Sequence, residues 1–140
     1  MMPGLELVMT LRVEIAAPLD VGAVGSGVRR VIPITGGTFE GPAIRGAVLP
    51  GGADWNLTRP DGVAEIWARY TLRTDDGVLI AIINAGLVVP QADGSHHART
   101  VPQFEVAGEQ YAWLCRNIFV GTLAPAESGD AVKLQFFRVT

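Results

Sequence analysis

Apolar residues recur at every second position near the start of this chain, and that period of two constrains the fold more than any other feature. Leu5, Leu7, Met9, Leu11, Val13 and Ile15 alternate with Glu6, Val8, Thr10, Arg12 and Glu14. Side chains of an extended chain point alternately to opposite faces, so this segment is predicted to be one half-buried strand. The pattern returns at Val63–Arg73, with Ala64, Ile66, Ala68, Tyr70 and Leu72 on one face and Glu65, Trp67, Arg69, Thr71 and Arg73 on the other. Val28–Thr35 is rich in β-branched residues and reads as a strand. Ala43–Leu49 is a further strand, which Asp54–Thr58 is expected to continue past the break at Pro50-Gly51-Gly52. Val78–Val89 is apolar on both faces and is expected to be covered on both. Phe104–Val106, Trp113–Leu123 and Ala131–Val139 complete the strands.

The connections carry turn chemistry. Arg59-Pro60-Asp61-Gly62 combines a proline that presets φ with a glycine that tolerates positive φ, and Asp75-Asp76-Gly77 supplies a hairpin turn. Gln91–Thr100 is polar and reads as a surface loop. Gly22–Gly27 reads as a flexible loop, because its glycines lack the dinucleotide spacing and no helix follows. No segment has a helical period, although "EQYAWLCRN" has room for one turn. Long strands with short turns in 140 residues predict an all-β, single-domain chain (1–140). The expected form is a closed antiparallel β-barrel of about eight to nine strands, which leaves no free edges and can enclose one small ligand. A two-sheet sandwich is the alternative.

Composition excludes several functions. The net charge is −3 with 11 Lys and Arg residues, and the largest basic cluster is Arg29-Arg30. Nucleic acid is not an expected partner, since phosphate binding needs a basic stripe. No apolar run reaches the roughly 18 residues of a membrane helix, so no membrane association is expected. Met1-Met2-Pro3-Gly4 leads straight into the patterned strand without the layout of a secretion signal, and a cytoplasmic location is expected. The single cysteine, Cys115, rules out an internal disulfide and reads as an inert core thiol. His96 and His97 are adjacent, and on an extended chain they would point to opposite sides, a poor arrangement for one metal ion. No metal or organic cofactor is expected.

The candidate site residues are polar groups set in apolar strands. Asp54, Asn56 and Thr58 share one strand face, and Trp55 and Leu57 share the other. Asp54 either folds back as a cap on Gly51 and Gly52 or points inward as an acid–base group. Tyr70 lies on the core face of its strand, where a hydroxyl needs a partner. Asn84 is the one polar residue in "VLIAIINAGLV" and must be hydrogen-bonded in the core or contact a ligand. Arg29 and Arg30 are consecutive, so one of them points inward. An acid, an amide, a phenol, an indole and an arginine around one apolar cavity would make a small-molecule site.

The stretches "GGTFEGP", "VLPGGADW", "RYTLRTDDG", "NAG" and "FEVAGEQYAWLCRNIFVG" make the chain resemble the family of domain of unknown function 3237 over most of its length. That resemblance implies a small antiparallel barrel, related in shape to lipocalin-like and allene oxide cyclase-like barrels, and it implies no settled activity. Most matching positions are glycines and turn residues that look architectural. The functional subset it implies is Asp54, Trp55, Tyr70 and Asn84, with Arg29 as a weaker member, while Cys115 departs from an asparagine expected in relatives. The expected function is that of a cofactor-independent isomerase, cyclase or lyase, with Asp54 and Tyr70 catalytic and Arg29, Trp55 and Asn84 binding a small carbonyl or aromatic compound. The alternative is a non-catalytic carrier or sensor barrel. The apolar outer positions also lead us to expect a homo-oligomer, a dimer or higher.

Overall fold

The computed structural model describes residues 1–140. Ten antiparallel strands form one sheet that closes on itself. They are β1 (Leu5–Ile15), β2 (Leu19–Val24), β3 (Gly27–Glu40), β4 (Arg45–Val48), β5 (Gly52–Thr58), β6 (Ala64–Thr74), β7 (Leu79–Pro90), β8 (His96–Val106), β9 (Phe119–Pro125) and β10 (Ala131–Val139). β1 pairs with both β10 and β3, and this closes the wall. The long β3 is flanked on one side by β1 and then β2, and on the other by β4 and then β5. β4 and β5 both pair with β6 as well. Eight positions around the barrel are thus filled by ten strands. The all-β barrel expected from the alternation is the fold observed. A single 3₁₀ turn, Ala112–Cys115, is the only helical element, and no helix is long and apolar enough to cross a membrane.

The alternation sets which residues enter the barrel, with instructive departures. In β1, Leu5 and Leu7 are exposed, whereas Val8 and Met9 are both buried. A register shift between Leu7 and Met9 against β10 causes this, because an extra residue in one strand re-aims every side chain beyond it. Gln91–Thr100 is not all loop: β8 already begins at His96, and His96 and His97 are exposed strand residues opposite Pro90 and Val89. Its inward positions are Ala98, Thr100 and Pro102, too small or polar to read as a core face. Gly22–Gly27 is likewise half strand, since β2 runs to Val24 and β3 begins at Gly27. Trp113–Leu123 splits into the 3₁₀ turn and β9, and Cys115 is exposed there rather than a core thiol. β7 is covered only inside, because Leu79 and Leu87 on its outer face are exposed.

The interior has two unlike halves. At the end covered by the 3₁₀ turn, Phe104 packs edge-to-face on Phe119 (5.4 Å between ring centroids) and Phe136 (6.0 Å). Met9, Leu11, Leu72, Ile80, Ile82 and Leu114 fill the space around them. Aromatic pairs of this geometry add to the burial that holds a core together. The other half is lined by smaller residues and is not filled.

Candidate functional site

The unfilled half encloses a cavity of about 80 Å³, and ten of its twelve lining residues are apolar. Asp54 and Asn84 are the exceptions, and the Tyr70 hydroxyl adds a third polar group. The register explains why they meet. Asp54 of β5 is paired with Ala68 of β6, and Ala68 with Asn84 of β7. Directly paired residues of neighbouring strands face the same way, so the acid and the amide flank a methyl group that leaves space between them. Tyr70 follows two positions along β6 on the same face. Half-buried Ile15, Ile32, Leu123 and Val132 form the rim.

The break at Pro50-Gly51-Gly52 creates this arrangement. The Gly51 N–H donates to the Ile34 carbonyl (3.2 Å) with φ at +114°. A Cβ on Gly52 would stand 2.5 Å from the Tyr70 Cβ and 2.4 Å from the Arg69 carbonyl oxygen. Only glycine allows the wall to close onto β6 there. Beyond the break, the β5–β6 ladder pairs Ala53 and Asp54, then resumes at Leu57. In the gap the Trp67 N–H donates to Asp54 Oδ1 (2.9 Å), and Asn56 Nδ2 donates to Oδ2 (3.3 Å). Asp54 therefore does not cap Gly51 and Gly52. It substitutes for a backbone acceptor of the sheet while facing the cavity.

Burial pushes the Asp54 carboxyl above its ordinary value. The Trp67 and Asn56 hydrogen bonds and the charges of Arg30 and Arg29 oppose the rise without cancelling it. Desolvation disfavours the carboxylate, which makes it a stronger base toward a proton inside the cavity. The Tyr70 phenol is likewise pushed up by burial and keeps its proton. Two oxygens of the cavity lining, Tyr70 OH and Asn84 Oδ1, are buried without a hydrogen-bond partner, as is Oδ1 of Asn56, the residue bonded to Asp54; Thr100 Oγ1 is orphaned outside the cavity, beside Gly121 and Phe136. Buried polar atoms are nearly always paired, so the unpartnered phenol and amide oxygens facing the cavity leave room for polar ligand atoms. Asn56 is visible only through its face-sharing with Asp54.

Two sequence-predicted residues lie elsewhere. Trp55 is on the outer wall, stacked edge-on against Trp67 (5.7 Å between ring centroids). Arg29 is also outside, where its guanidinium donates to the Trp55 carbonyl (2.7 Å). Neither lines the cavity. Arg29 faces away because alternation gives the inner face of β3 to its even-numbered neighbours Arg30, Ile32 and Ile34. By that alternation Arg30 shares the β3 face of Ile32 and Ile34, exposed and outside the cavity lining. No group of three or more His, Cys, Asp or Glu side chains stands together as a metal site.

A family model described as "Protein of unknown function (DUF3237)" matches residues 3–139. A UPF0311 protein of Rhodopseudomonas palustris is 37% identical over 139 residues, covering 89% of this chain and 91% of that protein. The crystal structure of a beta-barrel like protein from Acinetobacter baumannii superposes with a TM-score of 0.93 at 32% identity, over 100% of this chain and 98% of that one. A protein of Penicillium herquei described as an enzyme superposes with a TM-score of 0.81 over 99% and 95% of the two chains. Its 22% identity makes that a likeness of fold alone.

Proposed function

The chain belongs to the DUF3237 family of proteins of unknown function, and we propose that it is a cofactor-independent enzyme that moves a proton on a small carbonyl compound, as an isomerase, cyclase or lyase does. One observation carries this reading. A carboxyl with a raised pKa and buried, unpartnered phenol and amide groups converge on a single apolar cavity. Asp54 takes a proton from carbon next to the carbonyl and returns it at another atom, and its desolvation strengthens it as a base. The Tyr70 hydroxyl, which makes no protein hydrogen bond, donates to the carbonyl oxygen as negative charge develops there. Asn84 offers its amide N–H donors and an unpartnered oxygen acceptor beside it and fixes the orientation of the substrate. Water occupies about 30 Å³, so a cavity of about 80 Å³ admits the reacting end of a substrate and leaves the rest at the rim.

The test is solvent-deuterium exchange. A panel of small ketones, aldehydes and 2-oxo acids is incubated in D₂O with the protein, and label at the carbon next to the carbonyl is followed by NMR. Wild-type protein is expected to accelerate exchange for at least one compound, and Asp54→Asn to slow it by about 10²-fold or more. Equal exchange rates in the two proteins, or none in either, would leave the barrel as a carrier and remove the acid–base reading.

A further inference from the structure

The inner face of β3 continues past the cavity rim. Ile32 lies opposite Asp54, and Arg30 lies opposite Asn56 in the same β3–β5 ladder. Two residues along a strand span about 6.6 Å, so Arg30 stands one side-chain step outside the level of Asp54. It is exposed, and its charge reaches Asp54. Most arginines here are engaged: Arg12, Arg45, Arg59, Arg116 and Arg138 in ion pairs, and Arg29 on the Trp55 carbonyl. Arg30 has neither hydrogen bond nor ion pair, although Asp20 of β2 is its direct cross-strand neighbour. The register shift after Asp20 accompanies this missed pairing. Arg30 is thus a free guanidinium beside an apolar rim that leads to the orphaned Tyr70 and Asn84 oxygens.

We propose that Arg30 is the anion-recognising residue of this site, and that the ligand is a small organic acid bearing a carbonyl. Its carboxylate rests on the Arg30 guanidinium, and its uncharged end enters between Asp54, Tyr70 and Asn84. A guanidinium matches a carboxylate through two parallel N–H···O bonds. A single cation suits a single negative charge better than the charge of nearly −2 on a phosphate ester. The separation of Arg30 from Asp54 places the carboxylate a few bonds from the carbon that loses its proton. Asn56, with one amide hydrogen on Asp54 and its oxygen free, sits between the two and accepts from a ligand hydroxyl. The choice of an acid as substrate rests on the acid–base reading of Asp54, whereas the anion site itself stands on the geometry of β3.

The test uses 2-oxobutanoate and its neutral counterpart 2,3-pentanedione, with two readouts on the intact protein. Dissociation constants come from NMR shifts of the Asn56, Asn84 and Arg30 side-chain N–H groups, and reactivity from deuterium exchange. Wild-type protein is expected to bind the acid about tenfold more tightly than the dione. Arg30→Gln is expected to abolish that preference without weakening the dione, and Asp20→Asn to widen it by removing a competing carboxylate. An acid-to-dione ratio unchanged in Arg30→Gln, or no saturable binding of the acid, would overturn the proposal. If exchange depends on Asp54 while Arg30→Gln changes nothing, the anion site fails and the acid–base reading stands. If Arg30→Gln abolishes the preference while wild-type protein exchanges neither compound, the reverse holds.

Discussion

Asp54 shows how one carboxyl serves sheet and cavity together. Because burial raises its pKa, the folded chain holds this proton more tightly than the unfolded chain does. The stability gained from that is complete below the ordinary value of 3.8 and is lost as pH rises through the raised value. Above the raised value the ionised, half-enclosed carboxylate is a net cost, relieved in part by Arg30 and Arg29. Asp54→Asn keeps an acceptor for the Trp67 N–H and removes the charge. Its melting temperature is expected to exceed that of wild type near neutral pH, with the difference shrinking to nothing toward pH 3.8; a series of melts across pH measures this. Tyr70→Phe is expected to leave stability unchanged or slightly raised, since the hydroxyl it deletes has no partner. Removing that donor should still slow turnover roughly 10²-fold. A hydroxyl kept for packing alone would give the opposite pattern.

The decisive element is the broken strand from Arg45 to Thr58. Gly51 and Gly52 stand side by side but for different reasons. Gly51 has φ at +114° and nothing within 4 Å of an added Cβ, so Gly51→Ala should cost about 1–3 kcal/mol of backbone strain and spare the site. A Cβ on Gly52 meets the backbone of Arg69 and Tyr70 below 3.0 Å, so Gly52→Ala should cost more and displace Tyr70. Urea unfolding gives the two costs, and activity per folded molecule separates the two mechanisms. The "PGG" break was legible as an interruption of a strand. Its consequence was not, because no local pattern says which strand a glycine must approach.

Across the whole molecule, the packed aromatic cluster and the candidate site occupy opposite halves of one barrel. Phe136 is fully buried in the aromatic half, and Phe136→Ala should cost about 3–5 kcal/mol. Ala68 lies between Asp54 and Asn84, and Ala68→Leu places its added carbons in the cavity. That variant should cost at most about 1–3 kcal/mol and still abolish ligand binding and exchange. Thermal melts combined with the NMR titration distinguish the two outcomes.

Alternation by itself determined the all-β class, most strands, and the inward face of Tyr70, because a period of two maps directly onto the two sides of a wall; Asn84 stood out only as a polar residue in a strand apolar on both faces. The same period determined that Asp54 and Asn56 share a face and that one of two adjacent arginines turns inward. Only the tertiary structure decided which one. The bulge in β1, the second strand in Leu19–Val24 and the early start of β8 also escaped the sequence. The β1 bulge is set by pairing with β10 at the far end of the chain, whereas β2 and the start of β8 consist of exposed, small or polar residues that leave no apolar alternation to read. The meeting of Asp54, Ala68 and Asn84 is likewise a matter of register between three strands. Register is fixed by closure of the barrel and by the approach that Gly52 allows, both of which act between residues far apart in the chain.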